Sequence, residues 1–205
     1  MAQAKATART PRGQGDRLRE RLLDAGLEVV TEHGDAAHAT IRAVTKRAGV
    51  SPTAFYLHFA TRDEFLAALR QHGFEQFRAA VAEAADSGGA DPAARLHASA
   101  LGYIHFARER PNVYALIFGP DHSPEEAEPD APGPASFGDL VERVAAYLDQ
   151  AGRDKANIEL LAMALWTGLH GFVTLSYAAR KMDWPSDEEF AALLARAWLG
   201  PAAAP

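Results

Sequence analysis

The chain has 205 residues, 48% of them hydrophobic, with no cysteine and a formal net charge of −6. That length allows one large domain or a small domain joined to a larger one. Without cysteine there is no disulfide, thiolate zinc site or cysteine nucleophile. No uninterrupted apolar run reaches the roughly 18 residues expected of a membrane span, and residues 1–15 lack the apolar segment of a secretory signal, so a cytoplasmic location is expected. The charge is uneven: residues 1–70 carry 11 Lys and Arg against 8 Asp and Glu, and residues 71–205 carry 10 against 19. A mildly basic end on an acidic body suits a chain that offers one end to a polyanion.

Residues 1–15, with Lys5, Arg9 and Arg12, read as a disordered tail, either inert or a basic arm for phosphates or the minor groove. Asp16 caps a predicted helix over 17–33 whose buried stripe is Leu18, Leu22, Ala25 and Val29, and Gly34 closes it. After a short link, Thr40 is an N-cap, and Ile41, Val44 and Ala48 fall at helical spacing. Gly49 supplies the left-handed residue that ends this helix. Ser51 is a second N-cap with Pro52 at the first helical position. The next helix runs over 53–59 and turns Phe55 and Phe59 to the core. Thr61 starts a third, with Asp63 and Glu64 in its first turn.

Helix, glycine turn, helix is the DNA-reading arrangement, in which the second helix enters the major groove tip first. Ser51, Thr53 and Ala54 at that tip suit base edges and a thymine methyl. Tyr56, His58 and Arg62 suit phosphates. Thr40, Arg42, Pro52 and Leu57 complete the predicted interface.

The helix over 61–86 carries Phe65, Leu66, Leu69, Phe77 and Val81. Asp91 and Pro92 open a helix to about 109, with Leu96, Tyr103, Ile104 and Phe106 inward, which Arg110-Pro111 stops. Asn112 caps a short segment over 113–118. Residues 119–135 hold five of the twelve prolines and a run of acids, and read as a mobile loop. Ser136 caps a helix to about 150. Residues 155–182 form the most apolar helix, and Ser186 caps the last, over 187–199. With no strand pattern, the expectation is an all-α protein of about nine helices: an arm at 1–15, a helix-turn-helix domain at 16–60 and a larger body at 61–205.

The eight histidines show no metal-binding spacing, and no nucleophile elbow, phosphate loop or dinucleotide fingerprint is present. No catalytic site, metal or cofactor is expected. In the body, Phe77, Tyr103, Phe106, Tyr114, Phe118, Trp166 and His170 lie on helices that should face one another. Plain core packing explains any one of them. Together they suit an apolar small-molecule site with a few polar tips.

Ala48-Gly49-Val50-Ser51, then Phe55, Tyr56, His58 and Phe59, then Arg62, Glu64, Phe65 and Leu66 resemble the N-terminal domain of the tetracycline-repressor (TetR) family of transcriptional regulators. Arg62 stands where that family more often has lysine, and Val44 where it more often has isoleucine. Arg110-Pro111 with Tyr114, Leu116, Ile117 and Phe118, and Trp166 with Leu169-His170-Gly171, resemble a C-terminal subgroup of the family. The resemblance implies a homodimeric regulator, most often a repressor. It would read a palindromic operator in double-stranded DNA and be released by a small-molecule effector, with the helix over 61–86 as lever. It also implies that the last two helices form a four-helix bundle with a two-fold mate. Leu161, Leu165, Leu169, Phe190, Leu193 and Leu194 would supply that interface, unless the subunit covers them itself. The other reading is a helical small-molecule binding protein without specific DNA binding.

Overall fold

The computed structural model describes residues 12–119 and 132–200. Among them are nine α-helices, one 3₁₀ turn (Ala36–His38) and no strand: α1 (Arg12–His33), α2 (Ile41–Ala48), α3 (Pro52–Phe55), α4 (Arg62–Ser87), α5 (Pro92–Glu109), α6 (Pro111–Phe118), α7 (Pro132–Gln150), α8 (Ile158–Ala178) and α9 (Asp187–Leu199). The all-α expectation holds. The chain divides into two compact units between His72 and Gly73, inside α4.

In the N-terminal unit, local signals set the helix ends. Thr40 Oγ1 accepts from the Ala43 N–H at 3.2 Å, and Ser51 Oγ accepts from the Ala54 N–H at 3.2 Å. Gly49 takes φ 67°, the left-handed conformation that lets the chain reverse after α2. Thr61 Oγ1 accepts from the Glu64 N–H while the Glu64 carboxylate accepts from the Ala60 N–H, a reciprocal start for α4. Phe55, Phe59 and Phe65 are 0–1% exposed, with ring centroids 5.1–5.4 Å apart.

Two expectations fail here. Helix α1 begins at Arg12, so Asp16 lies within it instead of capping it, and residues 12–15 are helical. Once Leu22 and Leu23 are buried, adding turns to an existing helix costs little. The rest of the predicted arm lies outside the described residues. Helix α3 ends at Phe55; bonds from the His58 and Phe59 N–H groups to the Phe55 carbonyl, at 2.9 and 3.1 Å, carry a turn that keeps both phenylalanines inward.

In the C-terminal unit, α5 packs on α6, α7, α8 and α9. Asp91 caps α5 by accepting from the Ala93 and Ala94 N–H groups. Helix α6 starts at Pro111, so Asn112 does not cap it; proline lacks only an N–H that would be unpaired there anyway. Helix α7 starts at Pro132, inside the expected loop, and Ser136 Oγ donates to the Gly133 carbonyl instead of capping. Residues 120–131 of that loop lie outside the described residues. Helix α8 is shorter than the predicted 155–182, and Trp184 Nε1 donates to the Ala179 carbonyl just past its end. By length and composition α8 could cross a membrane. Counting unbroken apolar runs missed this because Thr167, Gly168, His170 and Gly171 interrupt the run without cancelling its average. Helix α9 opens with a reciprocal Ser186–Glu189 capping box. Arg108 holds it by donating to Asp187, and Phe190 stacks on Phe172 at 3.9 Å.

Helix α4 makes one unusually close approach in each unit. A Cβ on Gly26 would sit 2.7 Å from Phe65 and 2.8 Å from Leu69, and one on Gly102 would sit 2.5 Å from the Ala84 Cβ. A methyl at either place fits only if those neighbours shift.

Candidate nucleic-acid interface and body cavity

The tip of α3 is open. Ser51, Pro52 and Thr53 are exposed and Ala54 is half-buried. The turn behind them holds Tyr56 and Leu57 at 55% and 76% exposure. Folded proteins rarely leave a leucine and a tyrosine side by side in water, and their exposure here is consistent with a contact surface. Thr40 and Arg42 are exposed at the start of α2, and His58 is half-buried. The Thr40 and Ser51 oxygens accept cap bonds yet keep a hydroxyl proton to donate.

Arg62 departs from the expected phosphate role. Its Nη2 donates to the carbonyls of Ala36 and Ala37 at 3.0 and 3.1 Å, and its Nε to Ala39 at 3.4 Å. The guanidinium ties the start of α4 to the 3₁₀ turn, so most of its donors already have partners. Arg21 similarly donates to the Ala48 carbonyl, and Arg47 pairs with Glu28 and Glu32. Among the described residues Arg42 and Lys46 have no ion pair. They stand four apart on α2, the same-face spacing that could have singled out Lys46 beside Arg42.

The C-terminal unit holds a cavity of about 530 Å³, within the usual range for small-molecule sites. Phe77, Tyr103, Phe118, Trp166 and His170 line it as expected. Phe106 does not: it is buried behind Phe77, at 5.3 Å, with Arg110 over its other side. Tyr114 also lies behind the wall. Its hydroxyl sits 2.8 Å from that of Tyr103 and 2.6 Å from His170 Nδ1, and the Tyr103 hydroxyl is 3.3 Å from the same nitrogen. Burial raises both phenols above their ordinary range and lowers the His170 imidazole. The consistent protonation is two neutral phenols and a neutral histidine; the short Tyr114–Nδ1 bond fits either atom as donor.

The wall includes charged residues that sequence reasoning missed. Arg78 on α4 forms a two-pronged pair with Asp139 on α7, at 2.5 and 2.9 Å. Arg143, one turn beyond Asp139, also lines the cavity. Asp139 and Arg143 at i, i+4 on a helix whose other face buries Val144 and Leu148 were the available signal. Among the described residues no group of three or more His, Cys, Asp or Glu could hold a metal ion.

The expected dimer residues separate. Leu165, Leu169 and Leu194 are buried within the subunit and cannot present a face to a mate. Leu161 is half-buried, and Phe190 is half-buried with one ring face taken by Phe172. Of the six, Leu193 is exposed. Leu160, Met163, Leu175 and Tyr177 on α8 and Met182 beyond it are exposed as well.

A capped helix-turn-helix unit and an α-helical body with a cavity make an all-α protein of the DNA-binding regulator type. Residues 22–69 match the family described as bacterial regulatory proteins, tetR family, and residues 96–197 match the family described as tetracyclin repressor-like, C-terminal domain. The chain belongs to the TetR family of transcriptional regulators. An uncharacterized HTH-type transcriptional regulator of Mycobacterium tuberculosis is 38% identical over 80 residues, 37% of this chain and 40% of that protein; the match therefore spans two fifths of that relative's length. A solved protein of unknown function from Rhodococcus sp. RHA1 is 28% identical with a TM-score of 0.75, covering 91% of this chain and 96% of that one. The fold is also shared with SmeT, the repressor of a Stenotrophomonas maltophilia multidrug efflux pump, at 22% identity and a TM-score of 0.59 over 88% of each chain.

Proposed function

We propose that this protein is a cytoplasmic, homodimeric repressor that binds a palindromic operator and leaves it when a small molecule occupies the body cavity. The observation that carries the reading is the exposed α3 tip, with Thr53 beside Tyr56 and Leu57, on a reader whose two short helices start on the Thr40 and Ser51 caps. Thr53 reads a base edge. Tyr56 and Arg42 contact phosphates, and Lys46 adds a further cation. Two-fold symmetry puts the half-sites about 34 Å apart, or a multiple of that. The exposed apolar residues of α8, together with Leu193, pair the subunits. An effector acts by binding one arrangement of the dimer better than the other. Helix α4, whose residues belong to both units, is the route.

The test is selection of bound sequences from a random duplex library at two salt concentrations. An enriched palindrome supports the dimeric regulator. Retention that vanishes with salt and enriches nothing favours the other reading, a helical small-molecule binding protein.

A further inference from the structure

The cavity has two kinds of wall. One end is aromatic: Phe118 lies 5.5 Å from His170 and 6.5 Å from Trp166, and Phe137 closes on Trp166 at 6.2 Å. Along α7 the wall changes character. Arg143 follows Phe137 by six residues, about 9 Å of helix.

The charges at that second end do not cancel within the cavity. Asp139 is engaged by Arg78 through two bonds; it attracts Arg143 through space but makes no hydrogen bond or ion pair with it. Arg143 is half-buried and, among the described residues, has no hydrogen bond or ion pair. Its other neighbours do not alter this. Arg95, across a smaller adjoining cavity of about 260 Å³, is already paired with Asp86 at 2.7 Å. Glu142 lines the smaller cavity alone, whereas Asp139 and Arg143 line both. Burial disfavours the Arg143 charge, and although Asp139, Asp86 and Glu142 attract it through space, none bonds to it, a cost that a ligand oxyanion would relieve.

Resting on the effector-site reading above, we infer that the cavity takes an aromatic oxyacid. Its flat apolar body lies among Phe77, Phe118, Trp166 and His170, and its carboxylate- or sulfonate-type head lies on Arg143. The guanidinium donates two parallel hydrogen bonds to the head. Uncharged molecules of the same shape fill the aromatic end but leave Arg143 unsatisfied.

Two fluorescent probes isolate the head group: 1-anilinonaphthalene-8-sulfonate and N-phenyl-1-naphthylamine share one ring system and differ by the sulfonate. The intact protein should bind the sulfonate about tenfold more tightly, the difference one charged hydrogen-bonded contact makes. Arg143→Gln should remove that preference while leaving the amine's affinity within about twofold. Arg143→Lys, which keeps the charge but not the fork, should fall between. Each variant's thermal midpoint is measured alongside, and the lysine variant decides if the glutamine variant does not fold. Equal binding of both probes, or a sulfonate preference that survives both substitutions, overturns the inference and leaves the effector site standing. Failure of both probes to bind overturns the inference and the effector-site reading together.

Discussion

Each unit gathers aromatic rings, and the outcomes are opposite. In the N-terminal unit Phe55, Phe59 and Phe65 close on one another at 0–1% exposure. In the C-terminal unit Phe77, Tyr103, Phe118, Trp166 and His170 stand around a cavity of about 530 Å³. The difference lies in the ring edges. Phenylalanine has no polar atom, so three of them can collapse without an unmet hydrogen bond. Tyr103, Tyr114 and His170 must satisfy theirs, and they do so through a three-way contact among their polar atoms. A sealed apolar cluster holds a reading surface still. A cluster propped by hydrogen bonds leaves room for a guest.

The largest expected effect falls on the sealed cluster. Phe59→Ala should cost about 3–5 kcal/mol, measured by denaturant unfolding, and abolish DNA binding. A cost below 1 kcal/mol would mean that the cluster can collapse, against the contrast drawn here. Arg62→Ala should come next, at about 2–3 kcal/mol for the lost charged donors on the carbonyls of Ala36, Ala37 and Ala39. The salt dependence of DNA binding should stay intact; a flatter salt slope with unchanged stability would return Arg62 to the phosphates. Thr53→Ala should leave stability alone and cost about 1–3 kcal/mol of preference at one base pair, read by competition among single-base operator variants. If base preference is unchanged, Thr53 is not a reader.

The smallest effect concerns the propped cluster and pH. His170 has a folded-state pKa below its ordinary value, because burial disfavours the imidazolium. The unfolded chain therefore binds more protons over the window between the two pKa values. Stability should fall as pH drops below about 6.5 towards the lower folded-state value, and be fully present above it. His170→Gln should reduce this slope in thermal unfolding between pH 8 and pH 5. An identical slope would assign the pH dependence to other histidines.

Helix ends were the most legible part of the chain. Thr40, Ser51, Asp91 and Ser186 all cap as read, because a cap joins residues two or three apart and depends on nothing distant. The α7 start was misread for the opposite reason. Pro132 and Pro134 looked like loop residues, yet proline is tolerated in the first turn of a helix. The bonds of Arg62 to the Ala36 and Ala39 carbonyls were not legible because those partners lie 23 to 26 residues away. On α8, periodicity found the apolar residues but not the depth at which each lies, so Leu165 and Leu169 were expected at an interface and Leu160 and Met163 were not. In the cavity, the aromatic half was visible as composition. The charged half needed α4 and α7 side by side, which only the fold supplies.

The two glycines packed against α4, Gly26 of α1 and Gly102 of α5, bear on how such a protein changes over generations. Glycine becomes alanine by a single-base substitution in its codon, so at Gly26 and at Gly102 a methyl group is one mutational step away. At each site the methyl gains about 1 kcal/mol of helix propensity and meets atoms that must yield, at a cost of about 1–3 kcal/mol. These near-balanced steps shift a helix without destroying it. On the function proposed above, such steps retune the threshold at which an operator is released while leaving untouched both the residues proposed to read DNA and those proposed to hold a ligand.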